Sequence, residues 1–151
     1  MNDPELVKNR VAQYYWEDDL NCATTTLKIL SERFNIEVSD QVFSAATGMH
    51  GAGLYGAQCG LVEGTLMFLG IFSQQNNYSK DQTVRCCYEF ANAFENVFGS
   101  LQCRVLRPEG FTETNPPHLC ESLTCRAVDF AILFIQNIER THQRTKSVER
   151  T

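Results

Sequence analysis

Several common classes are excluded by what this 151-residue chain lacks. No two of its cysteines stand two residues apart, so the paired-cysteine signature of a zinc finger is missing. The Cys-x-x-Cys-His run that attaches c-type haem is absent as well. There is no excess of Lys and Arg: net charge is −5 and the pI is near 5.2. Nucleic acid and an anionic membrane are therefore poor candidates for a main partner, because phosphate surfaces are bound through surplus positive charge. The longest apolar run, around Gly60 to Phe72, is broken by Glu63 and Gly64 and is too short to cross a bilayer. The opening MNDPELVKNR has no apolar signal-peptide core. The expectation is a cytoplasmic chain.

Strand periodicity and internal repeats are also missing, and helical patterning takes their place. Asp3-Pro4 suits the start of a helix running to Trp16. Asp18, Asp19 and Asn21 offer caps to a second helix whose stripe is Leu20, Ala23, Leu27, Leu30 and Phe34. Ser39 suits the start of a short third helix. Ser79, with Asp81 following, opens another with the stripe Val84, Cys87, Ala91, Phe94 and Phe98, stopped by Gly99. The last helix is expected from near Pro117, carrying Leu123, Ala127, Phe130, Phe134 and Ile138. The tail from Thr141 reads as frayed and polar. The predicted fold is all-α: a single-domain bundle of about five helices spanning residues 1–151, with a long cysteine-containing loop, Leu101 to Pro117, before the last helix.

The glycine-rich stretch GMHGAGLYGAQCGLVEG contains Gly51-Ala-Gly53-Leu-Tyr-Gly56, which matches a dinucleotide-binding pattern only in letters. That pattern needs a preceding strand, and the preceding residues read as helix and turn. Gly56, Gly60 and Gly64 instead fall four apart on one predicted helix face. A bare face of this kind admits another backbone, either within the chain or in a homodimer.

Seven cysteines remain: Cys22, Cys59, Cys86, Cys87, Cys103, Cys120 and Cys125. In a reducing compartment this count favours metal ligation or redox chemistry over disulfides, although a free cysteine is also an ordinary small core residue. Cys22, Cys59 and Cys120 fall at or near predicted helix N-termini, where free N–H groups favour thiolate. Cys103 opens the long loop. Cys87 reads as packing and Cys86 lies beside it on another face. Five residues separate Cys120 from Cys125, which turns them apart on one helix. His50, His118 and His142 are isolated, but the first two lie near Cys59 and Cys120 in sequence.

Four segments in this order resemble the C-GCAxxG-C-C family of redox proteins. They are DLNCATTTLKIL, GMHGAGLYGAQCGLVEGTLMFLG, FENVFGSLQCRVL and CESLTCRAVDFAIL. Leu61 and Glu63 depart from the family's commoner residues. The resemblance implies an all-helical protein whose signature cysteines are Cys22, Cys59, Cys103 and Cys120, with Cys125 the alternative to Cys120. It implies an iron–sulfur cluster or another metal on those cysteines, electron transfer, and a redox partner protein. The alternatives are zinc or thiol/disulfide chemistry without electron transfer, or a helical dimeric module joined through Gly56, Gly60 and Gly64 with no cofactor.

Overall fold

A computed structural model describes residues 3–151. Five long helices carry the architecture: α1 (Asp3–Trp16), α2 (Cys22–Phe34), α5 (Gly60–Gln75), α6 (Lys80–Phe98) and α8 (Glu121–Glu149). Three short ones, α3 (Asp40–Ala45), α4 (Gly51–Leu54) and α7 (Cys103–Leu106), lie in the connections. No strand occurs among the described residues; one isolated antiparallel bridge pairs Gln58 with Gln102. The all-α expectation holds, and the five-helix expectation matches the long elements.

Local chemistry sets the boundaries. Asn21 caps α2 by accepting the Thr24 N–H at 2.9 Å. Ser79 and Gln82 form a reciprocal capping box at the start of α6, and Gly99 ends that helix in a left-handed conformation with φ 92°. The buried stripe of α6 differs from the expected one. Phe90 and Phe94 point inward with half-buried Cys87 and Phe98 beside them, whereas Val84 is 60 % exposed. The inward face is centred on the phenylalanines, so the first turn of α6 turns Val84 to solvent.

The core is aromatic along its length. Phe34 meets Phe68 at a ring separation of 5.8 Å, and Phe90 meets Phe134 at 5.2 Å. α2 lies along α5, and the glycine face is what lets it do so. A Cβ at Gly64 would sit 2.6 Å from the Ala23 carbonyl oxygen, and one at Gly60 would sit 2.3 Å from the Cys22 sulfur. This corrects the homodimer expected through Gly56, Gly60 and Gly64. The last two are filled by α2 of the same chain. Gly56 precedes α5 and lies against Arg104.

The C-terminal residues are helical and exposed. α8 continues through the polar residues to Glu149, exposed except at half-buried His142, whose ring lies 4.3 Å from that of Tyr78. The residues from Thr141 to Glu149 carry no helix breaker, so the helix propagates without a core beneath it. No helix among the described residues is long and apolar enough to cross a membrane.

Candidate cysteine centre

Each of the four signature cysteines stands at a helix start. Cys22 is the first residue of α2, Cys59 is the N-cap of α5, Cys103 is the first residue of α7 and Cys120 is the N-cap of α8. α7 is a single turn and contributes no summed dipole of note; the other three are long helices. α8 begins at Glu121, four residues later than the prolines suggest, because His118 takes a left-handed conformation (φ 59°) that holds off the helix.

Two short segments bring Cys59 and Cys103 side by side. The Cys59 N–H donates to the Leu101 carbonyl at 2.8 Å, and the Cys103 N–H donates to the Ala57 carbonyl at 2.7 Å. Arg104 donates to the Gly56 carbonyl from both its backbone N–H (3.2 Å) and its Nε (3.0 Å). Behind them, α4 is one turn of left-handed sense: Gly51, Ala52, Gly53 and Leu54 all have φ between 54° and 68°. Gly51 is required there, since a Cβ would stand 2.9 Å from the Cys103 Cβ and 3.0 Å from its sulfur.

The third cysteine, Cys22, is set by its cap. Asn21 Nδ2 donates to the Thr47 carbonyl at 2.6 Å and lies 3.2 Å from His50 Nδ1, which ties the start of α2 to the loop before α4. Cys120 closes the group: its carbonyl accepts the Thr124 N–H at 2.7 Å, and the positive charge of Arg107 lies within range of its thiol.

The four thiols share one electrostatic environment. Burial pushes Cys22 well above the ordinary thiol range, and the charges of Cys59, Cys120 and Cys103 add to the rise. Cys59 is pushed up to about 12, chiefly by burial, with Leu61 and Val62 N–H groups opposing and Cys103 and Cys120 adding. Cys103 is raised by burial and by Cys120. Cys120 is raised by burial, against the opposing charge of Arg107. The expectation of lowered thiol pKa at helix N-termini is thus corrected. The N–H groups are present, but desolvation and mutual repulsion outweigh them. A cation among the four sulfurs would reverse that sign, since the repulsion and the desolvation penalty both fall on an uncompensated thiolate. As a donor set, four convergent soft sulfurs suit thiophilic metal. Among the described residues, no three His, Cys, Asp or Glu side chains are placed to hold one metal ion.

Other candidates separate cleanly. The electrostatic neighbours of Cys125 are Glu121, Asp129 and Lys8. Cys86 has Glu89, Cys87 and Arg85 around it on α6. His50 abuts the centre through its backbone, its Cα 3.2 Å from where a Gly60 Cβ would lie. His142 is far along α8 against Tyr78.

Two neighbours gave no sequence signal. Tyr15 is 3 % exposed, donates to or accepts from Thr124 Oγ1 at 2.6 Å, and feels the charges of Cys22, Cys120 and Cys59. Arg107 comes from the loop before α8.

A family model described as "Putative redox-active protein (C_GCAxxG_C_C)" matches residues 20–132. The chain belongs to that family. The matched segment runs from just before Cys22 into α8 and includes Cys22, Cys59, Cys103 and Cys120, while α1 lies outside it. No curated protein and no solved structure matches the chain.

Proposed function

We propose that this C_GCAxxG_C_C protein is an electron-transfer protein that holds an iron–sulfur cluster on Cys22, Cys59, Cys103 and Cys120. The observation that supports this reading is that helix starts from four separate segments bring the cysteines near one another: backbone bonds tie Cys59 to the Cys103 segment, Cys22 lies against Gly60 beside Cys59, and Cys120 is within electrostatic range of the other three. Such a site favours a multiply charged cationic group that takes all four as thiolates. Bound there, the cluster would supply reversible one-electron chemistry. The protein's own residues hold the sulfurs, bury Cys59 and Cys103, and place the Arg107 charge and buried Tyr15 within electrostatic range of the thiols.

Thiol–disulfide exchange is less well supported by the same observation. The attacking species there is a thiolate, and burial holds all four thiols in the protonated form near neutral pH. Zinc on the same four sulfurs is the remaining alternative.

Purification without oxygen, followed by iron, zinc and acid-labile sulfide analysis with a visible spectrum, distinguishes these readings. Iron with sulfide and absorption near 400 nm supports the cluster. Zinc alone, or titratable thiols with no metal, contradicts it.

A further inference from the structure

The contacts between the end of α1 and the start of α8 form a line of rings from the cysteine centre to the surface. Tyr15 is buried, within electrostatic range of the thiols of Cys22, Cys120 and Cys59. The ring of His118 stacks on it with centroids 4.9 Å apart and planes 18° apart. The indole of Trp16 meets that same imidazole edge-on at 4.8 Å. Trp16 is 57 % exposed and is the only tryptophan in the chain. Three rings in succession thus run from buried Tyr15 to solvent-exposed Trp16. Neither Tyr15 nor Trp16 lies in the segment matched by the family.

The two segments that meet at the outer end are acidic in sequence. Residues 11–27 contain Glu17, Asp18 and Asp19 and no Lys or Arg. Residues 108–125 contain Glu109, Glu113 and Glu121 and again no Lys or Arg. Glu121 accepts the indole N–H of Trp16 at 2.9 Å, and Asp19 stands 3.7 Å from the imidazole of His118. Glu17, Asp18 and Asp19 are exposed beside the indole. An exposed large aromatic ringed by carboxylates matches a partner with a basic rim around an apolar centre.

We propose that electrons pass between the cysteine centre and a basic one-electron carrier protein through Tyr15, His118 and Trp16, with the carrier docked on the acidic face around Trp16. This rests on the electron-transfer reading above. In each passage one electron leaves the reduced centre and the carrier gains one; no bond forms or breaks. The rings supply close-packed π systems in place of solvent, and the carboxylates orient the carrier over the indole.

The test uses the full chain, prepared without oxygen, with cytochrome c as the basic one-electron probe. In amide NMR spectra the single indole N–H signal, that of Trp16, is expected to shift on addition of the probe and to return toward its free position as salt is raised. Asp18→Asn with Asp19→Asn is expected to weaken that association by about tenfold at low ionic strength. In stopped-flow mixing of the reduced protein with the probe, Trp16→Leu and His118→Leu are expected to slow electron passage severalfold at unchanged metal content. An indole signal that does not move overturns the docking face. Passage at the parent rate in both ring variants, with metal content intact, overturns the path. A parent with no reducible centre removes the path together with the electron-transfer reading, whereas the docking face stands or falls on the indole signal alone.

Discussion

The sulfur of Cys22 fills the space in which a side chain at Gly60 would begin, 2.3 Å from the position of its Cβ. The start of α2 and the start of α5 therefore approach as closely as the chain permits at the cysteine centre.

A methyl group at Gly60 removes that approach. Gly60→Ala gains helix propensity of about 1 kcal/mol but overpacks Cys22 and the Ala23 backbone, an effect that costs about 1–3 kcal/mol and displaces a site sulfur. The expected result is a lowered melting temperature and reduced metal uptake. Gly70→Ala in the same helix meets nothing within 4 Å and is expected to stabilise by up to about 1 kcal/mol with the site untouched. Thermal melts and metal analysis on the pair separate crowding from propensity.

Position along α8 distinguishes the two candidate cysteines there. Cys120, at its N-cap, lies within range of the Arg107 charge and of the thiols of Cys22, Cys59 and Cys103, whereas Cys125 has Glu121, Asp129 and Lys8 as its charged neighbours. Cys120→Ser is expected to lose metal and Cys125→Ser to retain it at the parent's stoichiometry. Equal retention in both would contradict the assignment.

α4 holds Ala52 at φ 54° in an exposed left-handed turn, a conformation that disfavours a side chain. Ala52→Gly is expected to stabilise by about 1 kcal/mol, the order of the left-handed penalty per residue. Denaturant unfolding checks it, with a higher midpoint at unchanged slope as the expected result.

Burial, and then the Asp3 carboxylate, push the Asp129 carboxyl up, and its Oδ1 is buried without a hydrogen-bond partner. A carboxyl raised above its unfolded value contributes stability below the unfolded pKa, and that contribution is lost as pH rises through the folded one. Asp129→Asn is therefore expected to melt higher than the parent near neutral pH, with the difference shrinking as pH falls to about 4. Melting curves across that range give the sign directly.

The sequence exposed the helices better than their ends. Caps at Asn21 and Ser79 and the stop at Gly99 are local chemistry, and they stand where the residues place them. The start of α8 depends on the left-handed His118, and the run to Glu149 depends on propagation from a packed segment; neither is written in residue type. The glycine spacing announced a close approach but could not say that α2, rather than a second copy, fills it. Cysteines at helix starts were legible for three of the four positions. Their raised pKa was not, because it arises from burial among one another, a property of the assembled fold. Tyr15 was invisible for the same reason: one aromatic in α1 looks like any other until Thr124, His118 and the thiols surround it.

Iron and acid-labile sulfide, measured per chain on protein purified without oxygen for the parent and for Cys22→Ser, Cys59→Ser, Cys103→Ser and Cys120→Ser, test the central claim most directly. The account expects iron and sulfide together in the parent and a loss in each of the four variants, with Cys86→Ser and Cys87→Ser unaffected. A parent free of iron and sulfide, or four variants that retain the parent's content, would contradict it.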